Sequence, residues 1–230
     1  MIIRHVDDGL VCCDPIWEKA YQRFETREQE INKFIARLRR LGADELDRDV
    51  RILELFCGRG GGLTALRRLQ FRHVEGLDLS ESLLGQCDDT ATLHLADCRR
   101  LPFDDGRFDI AIVQGGLHHL EDLNEDLDAC LSEANRILQS NGLFWMVEPW
   151  MTPFLKWAHR ITDHPFVRRI YPRGDALATM TEREASTYYH WLEEPDHILN
   201  SLSRYFDVQS RSIAWGKIEF SGRPRRETDA

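Results

Sequence analysis

Val50–Leu66 reads V-R-I-L-E-L-F-C-G-R-G-G-G-L-T-A-L. Val50 to Phe56 is β-branched and apolar enough for a buried strand, the run breaks on Gly58, Gly60, Gly61 and Gly62, and Leu63, Leu66 and Leu69 follow at helical spacing. Strand, glycine loop and helix is how a doubly wound sheet receives a nucleotide: glycines let the backbone close on the ligand, and the first helical amides face it. A tight connection without a ligand has the same signature, so the next acids decide. Val74 to Ser80 predicts a second strand carrying Asp78, about 20 residues past the glycines, where a carboxylate able to accept both ribose hydroxyls is expected. A helix-capping or salt-bridging acid is the alternative. A third short strand, Ala91 to Ala96, runs into Asp97.

Further along, Thr64 to Gln70 and Glu81 to Gln86 read as helices, the second capped by Ser80. Phe108 to Val113 is a central strand ended by Gln114-Gly115-Gly116. Asp122 to Gln139 has helical periodicity, with Asn141-Gly142 as its stop, and Leu143 to Val147 is a fifth strand ending at Glu148-Pro149. This alternation calls for an α/β fold, a doubly wound and mainly parallel sheet with helices on both faces.

Before it, Asp14 caps a helix with Pro15 at its first position, and Thr26 with Gln29 forms the capping box of a second that stops at Gly42. After it, Pro153, Pro165, Pro172 and Pro195 punctuate Trp150 to Arg204, with helices expected at Glu182 to Trp191 and Asp196 to Tyr205. That length exceeds a plain connection and reads as an inserted cap. Phe206 to Ile213 and Ala214 to Phe220 predict a final hairpin, and the polar tail from Ser221 is expected to be disordered. The single domain thus divides into N-terminal helices (1–49), a core (50–149), a cap (150–205), last strands (206–220) and a tail (221–230).

With 42% hydrophobic residues among 230, the chain can bury one substantial core. A formal charge of −9 argues against a general nucleic-acid binder. Six cysteines without a C-x-x-C pair or a histidine at ligand spacing predict no metal and reduced thiols. No window reaches the roughly 18 to 20 apolar residues of a membrane span, and Asp7 and Asp8 stand where a signal peptide would be apolar. A cytoplasmic protein is expected.

The sequence resembles the class I S-adenosylmethionine-dependent methyltransferases of the small-molecule, ubiquinone-biosynthesis-like type. The matching pieces are Glu54-x-x-Cys57-Gly58-x-Gly60, Asp78, Ala96-Asp97-Cys98 with Leu101-Pro102-Phe103, Phe108 to Val113, Leu117-His118-His119-Leu120, and Glu133 to Leu138 with Gly142. The resemblance spans Val50 to Pro149 and implies a Rossmann-like sheet of seven mainly parallel strands, with the N-terminal helices as a lid. It implies that S-adenosylmethionine is bound and S-adenosylhomocysteine released. Asp97 would take the adenine amino group, the Cys98 amide a ring nitrogen, and Leu79 the ring face. Glu54 would fix the loop and the amino end of the ligand, Gly58 and Gly60 would contribute backbone, and Gln114 would sit beside the methionine part. One departure is Phe56, where the family usually has glycine.

Methyl transfer from a sulfonium is an in-line displacement, so alignment supplies much of the rate and a base serves only a hydroxyl or protonated amine. His118 and His119 are candidates for that base, beside a purely structural role. Glu148, His159, His164, Tyr188, Tyr189 and His190 are further candidates on the acceptor side, which is expected to take a small or medium-sized molecule at oxygen or nitrogen. His159, Arg160, Arg168, Arg169 and Arg173, interleaved with Trp157, Phe166 and Tyr171, suit an anionic, partly apolar acceptor or a solvated helix face. Competing classes weaken on inspection. No Pro-Cys serves a cytosine-5 enzyme, Gln114-Gly115-Gly116-Leu117 replaces the Asn- or Asp-Pro-Pro-aromatic run of adenine-N6 enzymes, and Leu63 replaces the last glycine of a dinucleotide fingerprint. A cofactor-binding regulatory or scaffold subunit without turnover is the remaining alternative.

Overall fold

The computed structural model describes residues 1–6, 14–87 and 91–226. Asp7, Asp8, Cys12, Cys13 and the last four residues, for which expectations were stated, lie outside them. In chain order the elements are β1 (Ile2–Arg4), α1 (Pro15–Phe24), α2 (Arg27–Arg40), β2 (Arg51–Leu55), α3 (Gly61–Arg68), β3 (His73–Asp78), α4 (Glu81–Leu84), β4 (Thr92–Leu95), β5 (Phe108–Gln114) and α5 (Asp126–Ile137). There follow β6 (Leu138–Pro149), α6 (Pro153–Thr162), α7 (Pro165–Ile170), α8 (Pro172–Arg183), α9 (Ala185–Glu193), α10 (Pro195–Tyr205), β7 (Phe206–Ala214) and β8 (Lys217–Pro224).

One sheet runs β1-β4-β3-β2-β5-β6-β8-β7. The pairings from β1 to β6 are parallel, whereas β8 is antiparallel to both neighbours. Along β5 the side chains alternate between two cores: Ala111 and Val113 join α5 and the C-terminal helices, while Ile110 and Ile112 join α2 and α3. Burial on both faces explains the apolar run of this strand. The strand order reverses between β2 and β5, which opens a crevice at their C-terminal ends.

Four expectations need correction. The sheet has eight strands rather than seven, because Ile2–Arg4 adds a three-residue edge strand to β4, too short to show a pattern. Asn141-Gly142 does not stop a helix: α5 ends at Ile137, and β6 begins at once with an irregular register in which Phe108 faces Leu138 and Ile110 faces Leu143. Ser221–Pro224 belongs to β8, so the polar tail starts later. The cap holds five helices, since its prolines begin helices instead of breaking them; Thr152 and His164 cap α6 and α7, each with proline in the first turn. The Asp14 cap and the Thr26 capping box form as expected.

Phe56 follows β2 at φ 55°, a left-handed conformation unusual for a bulky residue. Its side chain packs against Gly116, where an added Cβ would meet Phe56 Cγ at 2.2 Å. Gly116→Ala should therefore destabilise the protein by about 1 to 3 kcal/mol through overpacking. The check is a lower denaturant midpoint at unchanged slope, with recovery when Phe56→Ala is added.

Candidate active site

Four polar residues stand at the C-terminal ends of adjacent strands: Glu54 on β2, Asp78 on β3, Gln114 on β5 and Glu148 on β6. All four are buried. Gln114 Nε2 donates to Glu54 Oε1 at 3.2 Å, leaving Glu54 Oε2 and Gln114 Oε1 buried with no hydrogen-bond partner. Burial, with further contributions from Glu30 and Asp78, pushes the Glu54 carboxyl up to about 8 despite the Gln114 bond. Gly62 is the only residue type that fits over this pair, since an added Cβ would lie 1.9 Å from Glu54 Oε1. Two orphaned acceptors side by side call for a donor or a cation.

Asp78 holds the glycine loop from below. Its Oδ2 accepts from the Gly58 amide and its Oδ1 from the Ser80 amide, each at 2.8 Å. Burial raises its carboxyl while these backbone donors act against the rise. Gly58 and Gly60 both have positive φ, and Cys57 donates its backbone amide to Leu77. The Cys57 thiol is buried and pushed well up by that burial, so it is no nucleophile.

Above the loop, α1 and α2 form a lid. Arg59, between the two glycines, pairs with buried Glu30 of α2 at 2.8 Å and stacks 4.7 Å from the Tyr21 ring of α1, whose hydroxyl donates to the same Glu30. One turn earlier on α1, Trp17 stacks on Tyr21 at 5.2 Å and donates its indole N–H to Glu184 at 2.8 Å. A single helix thus touches the glycine loop and, through Glu184, the His118–His119 pair.

Beside that pair, Glu148 Oε1 accepts the Gly116 and Leu117 amides at 2.7 and 2.9 Å, and its Oε2 accepts from His118 Nδ1 at 2.7 Å. His118 Nε2 is left facing Glu184 Oε1 at 4.0 Å. Burial would lower His118, but the charge and hydrogen bond of Glu148, with Glu184 behind, outweigh it and hold His118 above its ordinary value. His119 is pushed well down by burial and by His118, and its Nδ1 meets Glu184 at 3.2 Å. Tyr188 stands edge-on to His118 at 5.8 Å and shares a 3.1 Å hydrogen bond with His159. Ligand atoms of His118, His119 and Glu184 lie within 4.8 Å of one another, the one such trio among the described residues.

A family model described as a methyltransferase domain matches residues 53–146, from β2 into β6. That match makes residues 53–146 a class I S-adenosylmethionine-dependent methyltransferase domain. It is similar to a fatty-acid O-methyltransferase of Mycolicibacterium smegmatis, 27% identical over 191 residues that cover 74% of this chain and 68% of the relative. It is similar also to a demethylmenaquinone methyltransferase of Staphylococcus carnosus, 24% identical over 86% of this chain and 88% of the relative. A solved protein of Pyrococcus horikoshii shares the fold at TM-score 0.68 and 17% identity, over 93% of this chain and all of that one.

S-adenosylmethionine is the cofactor of this methyltransferase, and the residues present fit it. The orphaned oxygens of Glu54 and Gln114 suit its α-amino group, and Asp78 with the loop amides suits its ribose; when bound, it supplies an electrophilic methyl on a sulfonium. Phe56 packs against Gly116 and the core cluster beside β5. Leu79 is half-buried beside Asp78. Asp97 is engaged by Arg99, which contacts both carboxylate oxygens at 3.0 Å and reaches Asp126 at 2.8 Å. Burial alone would raise Asp97, and this pairing instead lowers it. Cys98 is buried beside Cys130, and the described cysteines form no disulfide. Sequence reading missed Arg59, Glu30 and Glu184. Only Arg59 carried a local signal, a large cation between two loop glycines. Arg168 is paired to Asp175 and Glu182, which favours the solvated-face reading for it.

Proposed function

We propose that this methyltransferase acts on a hydroxyl or amine of a small or medium-sized acceptor, anionic ones included, seated between the strand ends and the α6–α9 cap. His118 is the general base and Glu148 its positioning partner. The observation that carries this is the His118 Nδ1 bond to Glu148, which leaves the second ring nitrogen towards the acceptor side. Bonding at Nδ1 fixes the tautomer, so the Nε2 lone pair is available for the acceptor proton. Asp78, Leu79, Asp97 and the Cys98 amide belong to the same proposal as the nucleoside contacts, and Glu54, Phe56, Cys57, Gly58, Gly60 and Gln114 as the loop and methionine side. A cytoplasmic location is part of the same proposal, and the described cysteines, Cys57, Cys87, Cys98 and Cys130, are free thiols.

The test is transfer of isotopically labelled methyl from S-adenosylmethionine to a panel of phenols, carboxylic acids and amines, with the methylated atom located by mass spectrometry. Product from the wild type and none from His118→Ala, at unchanged cofactor affinity, is the expected result. Methylation at carbon would transfer the reading to the chemistry in the names of other relatives, such as a ubiquinone/menaquinone C-methyltransferase. We expect chelators to leave the rate unchanged, because Glu184 already accepts from Trp17 and lies 3.2 Å from His119, and so has no need of a cation. Loss of rate on dialysis against EDTA, restored by a divalent metal, would contradict this.

A further inference from the structure

We propose that the outer face of α6 and α7, with the tip of the β7–β8 hairpin, docks on the surface of an anionic phospholipid bilayer. Phe154, Trp157 and Ile161 fall at helical spacing on α6, yet they face solvent. The inner face of the same helix buries His159 and Thr162 instead. An apolar stripe that points outward is opposite to what packing of the fold alone selects. Phe166 and Ile170 continue the face on α7 at 64% and 62% exposure.

The hairpin tip adds a second observation. Trp215 occupies a position with φ 51°, followed by Gly216 at 79°, so both central residues of the turn are left-handed. Asparagine or glycine meets that geometry at least cost. Here the position carries a tryptophan that is 76% exposed and packs edge-on against Phe154 at 5.3 Å. Backbone strain combined with an exposed indole is not explained by stability of the turn.

Charge selects the occupant. Residues 151–173 hold five Lys and Arg against one Asp in a chain of net charge −9. Lys156, Arg160 and Arg169 on this stretch are exposed and make no ion pair among the described residues. Tryptophan and phenylalanine at headgroup depth, with cations on phosphates, is the pattern of a helix lying in the plane of an anionic membrane. No helix among the described residues is long and apolar enough to cross one, so the attachment is peripheral. Because α6 also carries His159 towards Tyr188, the docked face backs directly onto the acceptor side.

The full chain is sedimented with vesicles of phosphatidylcholine alone and of phosphatidylcholine mixed with phosphatidylglycerol. Two variants are compared, Trp157→Ser with Trp215→Ser, and Lys156→Glu with Arg160→Glu and Arg169→Glu; unchanged S-adenosylhomocysteine affinity certifies that each is folded. The expected result is binding to the anionic vesicles only, weakened by salt and reduced about tenfold or more in each variant. Absence of binding at low salt, or equal binding to neutral vesicles, would overturn the proposal. A dimer seen by ultracentrifugation without lipid, dissolved by the tryptophan variant and unaccompanied by vesicle binding, would overturn it in favour of a second copy of this chain. Because the readout is binding, its failure leaves the methyl-transfer reading untouched.

Discussion

Replacing Glu54 with glutamine is expected to weaken S-adenosylhomocysteine binding by about 100-fold, the usual consequence of removing one partner of a buried charge pair. In the cofactor-free protein, burial holds the Glu54 carboxyl near 8, so at pH 7 it is mostly protonated. An α-amino cation placed against its orphaned Oε2 favours the ionised form and draws that carboxyl down. Binding should then release close to one proton at pH 7, and affinity should climb as pH approaches 8. Calorimetric titrations in buffers of different ionisation enthalpy count the proton, and in Glu54→Gln it should vanish together with the affinity. An unchanged Kd and an unchanged proton count would place the amino group elsewhere.

The second large effect concerns the base. A general base acts only when deprotonated, and His118 is held above 6.5 by Glu148, so kcat/KM should rise with pH through a midpoint above that value. Glu148→Gln keeps the shape but removes the charge. The midpoint should fall, and kcat should drop by about 100-fold to 10,000-fold as the imidazole loses its orientation. Stability carries the same linkage with its own sign. A histidine whose folded value is raised stabilises the protein fully below 6.5, and that contribution is lost as pH rises through the folded value. Denaturant midpoints of the wild type should show this decline and those of Glu148→Gln should not. A pH profile identical in the two proteins would leave His118 a structural residue.

Much of this was legible from sequence because the core obeys two periodicities. The apolar runs at Val50, Val74 and Phe108 are strands buried on both faces, and the glycines after the first mark where the backbone must approach Glu54 and Glu30. Asp78, Gln114 and Glu148 could be placed because a polar residue ending a buried strand has few other reasons to be there. The lid contacts were invisible for a physical reason. Arg59, Glu30 and Tyr21 meet across 38 residues of chain, and Trp17 meets Glu184 across 167, so no local pattern links them. The cap misled for a different reason. Proline breaks a helix interior but begins a helix without penalty, and without the flanking caps at Thr152 and His164 the two roles look alike in sequence. Glu184 sits between α8 and α9, in a region with no motif, and only the fold brings it to the histidine pair.

The most direct measurement is a crystal structure of the protein with S-adenosylhomocysteine. The amino group should lie against Glu54 Oε2 and Gln114 Oε1, the ribose hydroxyls at Asp78, and the sulfur should face His118 across the acceptor side. A ligand bound outside the crevice between β2 and β5, or one that leaves the Glu54 and Gln114 oxygens without a partner, would contradict the account.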